Sequence, residues 1–250
     1  MSKISAVIIT RNSEELIADC IDSVSFCDEV IVIDNNSSDR TPDIAKHLGA
    51  RVFETPSKSF AEKRNLGLQK VRTKWLLYID DDERVSKELA NSIKEKVSSI
   101  KGDNYAAYKI ERKNFYLGNH EWPQIEKHAR LFNKSSLKEW RGRLHETPVV
   151  DGEVSELDGY LLHYTHRNLT QMVGKTIEWS EIEAELRLRS NHPNMTSWRF
   201  FRVMLTAFYD SFIKQKGYKA GTAGVVESVY QSFSIFITYA RLWELQNKKT

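Results

Sequence analysis

The sequence predicts an α/β protein: a mostly parallel sheet flanked by helices, followed by a helical C-terminal extension. Three observations predict it. Strand-like and helix-like segments alternate over the first hundred residues. The strand segments are continuous apolar runs, as in a parallel sheet covered on both faces. From residue 168 on, the pattern is helical throughout. A chain of 250 residues with 40% hydrophobic content can bury the core that such a fold needs.

Ile4–Thr10 (ISAVIIT) is the first strand, and Ser13 reads as an N-cap opening a helix in EELIADCIDSV. Glu29–Asp34 (EVIVID) is the second strand. Asp39 or Thr41 opens the next helix, which stops at Gly49. Arg51–Glu54 is a short third strand, 61–71 a helix and 75–79 the fourth strand, after which Ser86 caps KELANSIKEKV. Beyond residue 100, segments 105–110, 129–132 and 160–164 read as strands. Long polar connections separate them, of the kind that carries function. Helices are expected over 168–190, 197–215 and 225–244, the second with Phe201, Met204, Leu205, Phe208 and Phe212 on one face. The predicted domains are 1–167 and 168–250.

Composition narrows the function. A net charge of +3 with 28% charged residues does not by itself call for nucleic acid. It leaves room for weak attraction to anionic membrane surfaces or phosphorylated substrates. The two cysteines, Cys20 and Cys27, have no metal-binding spacing and read as reduced thiols of a cytoplasmic protein. The N-terminal segment lacks a signal-peptide layout, and no run of about 18 apolar residues occurs.

In parallel α/β sheets, ligands sit outside the carboxyl ends of the strands. Thr10, Arg11 and Asn12 follow the first strand, and Asp34 to Ser37 the second. Lys63, Arg64 and Asn65 lie a few residues past the third. Asp80, Asp81, Asp82 and Glu83 end the fourth. Neighbouring carboxylates about 5 Å apart repel by roughly 3 kcal/mol per pair at an effective dielectric of 20. A divalent cation, Mg²⁺ or Mn²⁺, would repay that and hold a diphosphate. Asp80 and Asp82, two apart, would extend one pleat side toward it. Arg11 and Arg64 suit phosphate or base contacts, and Asp34 suits the imide of a uracil. The competing reading is a solvated acidic turn ahead of a helix, where negative charge suits the helix dipole.

AVIITRNSEELIADCIDSV, EVIVIDNNSSDRTPDIA, FAEKRNLGL and WLLYIDDDERVS, in this order and spacing, resemble the nucleotide-binding half of family 2 glycosyltransferases of the Rossmann-like GT-A fold. ARLF at 129–132, LHE at 144–146, HY at 163–164 and the later KGYKAGTAG are similar to the subgroup with lipopolysaccharide-core β-glucosyltransferases. The resemblance covers most of the chain. It implies that Thr10, Arg11 and Asn12 line the nucleotide pocket, that Asp34 contacts the base and that Arg64 contacts the base or phosphates. It places Asp80 and Asp81 by the ribose and diphosphate and Asp82 on the metal. Asp81 stands where the family often has a small residue, which leaves open which carboxylates touch the cation. An acid at the place of Glu146 acts as general base in related enzymes.

His163, ending GYLLHY, would complete the metal site in such a fold, or would be an ordinary strand-end histidine. The glycines of KGYKAGTAG read as helix ends rather than a phosphate loop. Lys214, Lys216 and Lys219, beside an aromatic helix face, suit a membrane interface, with packing expected as that face's main role.

The expected activity is inverting, metal-dependent transfer of a hexose from a nucleotide sugar, UDP-linked, to a hydroxyl of a glycan or lipid-linked glycan. The resemblance puts that reaction in lipopolysaccharide core or surface polysaccharide synthesis, at the cytoplasmic face of the inner membrane. Two rivals stand beside it. One is a nucleotide-sugar-binding protein without activity, against which Glu146 argues. The other is a nucleotidyltransferase, against which the glycine-free ITRNSEEL argues.

Overall fold

The computed structural model describes residues 4–57, 59–98, 105–142 and 146–248. Two compact units are present, one of residues 1–113 with 126–163, the other of 114–125 with 164–250.

In the first unit, β1 (Ile4–Thr10), β2 (Glu29–Asp34), β3 (Arg51–Glu54) and β4 (Trp75–Asp80) run parallel in the order β3-β2-β1-β4. They are joined by α1 (Ile17–Ser23), α2 (Thr41–His47) and α3 (Phe60–Lys70). Every residue of β1 is buried, because helices cover both faces. Alternate side chains divide between them. Ala6 and Ile8 pack with Ile17 and Cys20, and Val7 and Ile9 with Ala61 and Tyr78. Thr10 pairs with Asp34 and Ile9 with Asp80, so the carboxyl ends of β1, β2 and β4 lie level.

A two-residue turn after β4 leads into β5 (Glu83–Val85) and α4 (Lys87–Ser98). The later strands are β6 (Ala107–Tyr116), β7 (His120–Glu121), β8 (Glu126–Asn133), β9 (Leu137–Arg141), β10 (Thr147–Val150) and β11 (Val154–Tyr164). The sheet continues from β4 through β8, β6 and β11 to β5, with β4–β8, β8–β6 and β11–β5 antiparallel. Because β5 follows β4 in the chain yet closes the far end of this path, the sheet curls back on itself. β9 and β10 pair separately. At Gly159 (φ +97°), β11 presses against α4: a Cβ there would lie 2.4 Å from the Leu89 amide nitrogen.

β5, β7, β9 and β10 are absent from the sequence reading, and α1 starts later than predicted. Ser13 accepts the Leu16 and Ile17 amides through its carbonyl, but its hydroxyl turns to Asp81 instead of capping the helix.

The second unit holds α5 (Leu169–Arg189), α6 (Ser197–Tyr209) and α7 (Gly221–Asn247), with a π turn over 210–214 and a 3₁₀ turn over 217–220 after α6. α7 packs against both other helices. Ala184, Met195 and Leu242 form its core. The glycine cluster is a helix junction, as read: a Cβ on Gly224 would lie 1.8 Å from the Gly217 carbonyl oxygen. The expected packing role of the 197–215 face holds only in part. Met204 and Phe208 are half-buried, Phe201 and Leu205 are exposed, and α6 has no buried residue. Among the described residues no helix is long and apolar enough to cross a membrane.

Candidate active site

The four acids at the tip of β4 do not share one partner; they diverge. Asp80, the last residue of the strand, accepts Arg64 Nη2 on one oxygen (3.0 Å) and Arg130 Nη2 on the other (3.0 Å). Burial pushes its carboxyl up, but the Arg130 and Arg64 guanidinium groups outweigh burial and hold it well below the ordinary carboxylate range. Asp81, in the turn, accepts the Thr10 hydroxyl (2.7 Å), the Ser13 hydroxyl (2.5 Å) and the Arg11 amide (3.3 Å). Burial and the adjacent Asp82 push it up to about 6. Asp82 Oδ1 lies 3.3 Å from His163 Nε2. Glu83, fully buried, accepts Arg130 (2.7 Å), Arg112 (3.1 Å) and the Asp80 amide (3.1 Å).

The repulsion read from the sequence is thus repaid largely by arginines. This corrects the expectation that Asp80 and Asp82 face one cation from a shared pleat side. Asp82 lies past the strand end, in the turn, and both oxygens of Asp80 are taken by guanidinium groups. Among the described residues no three His, Cys, Asp or Glu side chains converge on one point. The Asp82–His163 pair still fits a divalent cation, because Mg²⁺-type sites take one or two protein ligands and complete their shell with substrate phosphates and water.

Arg64 is the second focus. It is buried on α3, one residue before Asn65, whose side chain brackets the Trp140 backbone (2.8 and 2.9 Å) and ties β9 to the helix. That tie brings the segment before β10 alongside, so Arg64 Nε reaches Glu146 Oε1 at 2.8 Å. The guanidinium carbon lies 4.9 Å from the centre of the Trp140 ring and 5.5 Å from that of Tyr78. Its Nη1 is buried with no partner, as are Asn35 Oδ1 and Arg130 Nε. Orphaned donors and acceptors are costly, and these fit a ligand rich in phosphate and amide groups.

The remaining predicted residues lie on the same rim with other duties. Asp34 is buried and accepts both the Ser37 amide (2.9 Å) and the Ser37 hydroxyl (2.6 Å). Asn12 (φ +51°) donates its amide to Ser37 (2.8 Å) and accepts the Ser38 amide (2.8 Å), locking the β1 loop to the β2 loop. Thr10 is buried and Arg11 exposed. Leu144 and His145 of the LHE block lie outside the described residues. A cavity of about 580 Å³ beside α3 is lined by Ser57, Ser59, Glu62, Asn65, Trp140 and Gly142, among others. The sequence reading assigned no role to Arg130 or Arg112, and gave Glu83 only a place in the acidic cluster. A basic residue inside the apolar strand block ARLF is the signal that points to the first of them.

Residues 5–153 match the family described as Glycosyl transferase family 2. The chain belongs to this family. An uncharacterized glycosyltransferase of Rickettsia typhi is 32% identical to this glycosyltransferase, over 99% of this chain and 89% of its own length. The lipopolysaccharide core biosynthesis glycosyltransferase LpsC of Rhizobium meliloti is 23% identical over 96% and 92%. Among solved structures, a mannosyltransferase from Pyrobaculum calidifontis, in complex with GDP-Man and Mn²⁺, is similar with a TM-score of 0.54 and 12% identity. The match covers 96% of this chain and 87% of that one. The glycosyltransferase has the GT-A fold, and its reaction is the transfer of a sugar.

Proposed function

We propose that this glycosyltransferase moves a hexose from a UDP-sugar to a glycan hydroxyl with inversion, in the synthesis of lipopolysaccharide core or a related surface polysaccharide. One observation carries the reading: Arg64 links the acidic tip of β4 to Glu146, so a carboxylate suited to accept a proton lies one side chain from the groups suited to hold a diphosphate. The likeness to LpsC supports the core-glycan role. In this reading residues 1–167 form the donor-binding and catalytic domain, and 168–250 a helical extension serving a lipid-linked acceptor.

Inverting transfer is a single displacement through an oxocarbenium-like state. Asp82 and His163 would hold the cation, Mg²⁺ or Mn²⁺, which when bound would supply Lewis-acid stabilisation of the leaving diphosphate. Arg11 and Arg64 face the phosphates. Thr10, Asn12 and Asp34 shape the nucleotide pocket, with Asp34 toward the base. Asp80 is fixed by its two arginines and, with Asp81, borders the ribose and diphosphate. Glu146 accepts the acceptor's proton, without which a hydroxyl is a poor nucleophile. The cavity lined by Ser57, Ser59 and Asn65 suits a sugar.

Glu146→Gln is the test. Removing a general base costs about 10²–10⁴-fold in turnover. We expect that loss in a sugar-transfer assay, with UDP binding by calorimetry unchanged. Unaltered turnover would remove Glu146 from its role, and loss of both activities would mean that it holds the donor instead.

A further inference from the structure

We propose that the exposed face of α6 and α7 in the second unit is a docking surface for an anionic lipid bilayer. On α6, Trp198, Phe201, Leu205 and Tyr209 are 68, 55, 53 and 52% exposed. Their spacing of three, four and four residues makes one stripe along the helix. On α7, Val225, Val229 and Phe233, four apart, are exposed as well.

The seam between the helices is fixed by other residues. Phe200 packs on Phe236 (5.8 Å), Ser232 donates to the Met204 carbonyl (3.0 Å), and the Ser211 and Ser228 hydroxyls meet at 3.0 Å. These pairings descend on α6 as they rise on α7, so the helices are antiparallel. At about 100° per residue, both stripes are rotated from the seam in the same sense. In an antiparallel pair that puts them on one side, as a single apolar surface. Large contiguous apolar surfaces on a soluble face mark interaction sites.

Charge selects the occupant. Residues 197–220 carry five basic side chains (Arg199, Arg202, Lys214, Lys216, Lys219) and one acid, Asp210, which pairs with Lys214. Tryptophan and tyrosine with flanking Lys and Arg are the pattern of helices lying in a membrane interface, rings at headgroup depth and long cationic stems reaching phosphates. A second copy of the chain would set this basic excess against itself. No helix among the described residues is long and apolar enough to cross the bilayer, so contact through this face lies along the surface.

The test is flotation of the full chain with vesicles of phosphatidylcholine alone or mixed with phosphatidylglycerol, at low and high salt, without nucleotide sugar. The donor reading therefore stands or falls separately. We expect binding to the anionic vesicles at low salt that weakens by roughly tenfold or more in high salt or on neutral vesicles. A Trp198→Ser, Phe201→Ser, Leu205→Ser variant should lose binding by roughly tenfold or more while its melting temperature is kept, since these side chains are exposed in the native state. Arg202→Glu with Lys216→Glu and Lys219→Glu should lose the preference for anionic lipid. Absence of binding, equal binding to both vesicles, or unchanged binding by the serine variant would each overturn the proposal. So would light scattering showing a dimer that the serine variant turns into a monomer.

Discussion

Arg130 holds two carboxylates, the half-buried Asp80 and the fully buried Glu83, with one nitrogen: its Nη2 lies 3.0 Å from Asp80 and 2.7 Å from Glu83. Arg112 reaches the same Glu83 oxygen, Oε1, and is itself paired with Glu126. Such a ladder adds little net stability relative to an apolar core, but removing one member leaves uncompensated buried charge. Arg130→Met should therefore lower unfolding free energy by about 3–5 kcal/mol in a urea titration. Arg130→Lys should recover only part of it, because an ammonium cannot reproduce the planar fork. A loss below about 1 kcal/mol for the Met variant would show that the tip of β4 is held by its backbone and not by this charge pattern. Read along the sequence, the acidic run announced a cluster needing cations. It did not announce that arginines on α3 and β8 would answer two of the four acids, because partners 16 and 50 residues away are set by the sheet order.

At the scale of elements, close approach decides most at Gly159. There β11 crosses α4 with no room for a side chain, and a Cβ would meet the backbone nitrogen and Cα of Leu89 at 2.4 and 2.6 Å. Backbone cannot swing aside as a flexible side chain can. The φ of +97° adds strain for any L-residue. Gly159→Ala should destabilise by about 2 kcal/mol or more and be visible as a lowered urea midpoint. A variant as stable as the parent would mean that α4 is free to shift. The same contrast explains which elements were legible. β1 and β2 match their predicted spans because each is largely a run of apolar, mostly β-branched residues ended by a polar turn. β5, β9 and β10 escaped because they are short and mixed: Glu83 in β5 and Trp140 in β9 are buried by tertiary pairing, not by any periodicity of their own. Ser13 misled for a related reason. Its hydroxyl has two possible uses, and Asp81, 68 residues away, takes it.

For the molecule as a whole, the strongest consequence of the proposed site is thermodynamic linkage between cation and nucleotide. In the proposed site Asp82 and His163, 3.3 Å apart, would be the two protein ligands among the described residues, and an ion held by so few would depend on the diphosphate to fill its shell. In that proposal UDP would in turn gain from the ion, since Arg11 and Arg64 alone would leave part of its charge unmatched. Each ligand should stabilise weakly alone and strongly together. At a hundredfold excess over Kd, a ligand that binds only the folded state contributes about 2.7 kcal/mol. At roughly 2–4 °C per kcal/mol for a chain of this size, that is a rise in Tm of about 5–10 °C. Differential scanning fluorimetry with UDP, Mn²⁺ and both should show the rise only for the pair. Asp82→Asn should abolish the Mn²⁺-dependent part while leaving the ligand-free Tm within about 3 °C of the parent, because Asp82 is not a member of the Arg130 ladder. A UDP-induced shift of equal size in the presence of a chelator would remove the cation from the donor site. The phosphates would then be held by Arg11 and Arg64, with the orphaned Nη1 of Arg64 as the first contact to examine.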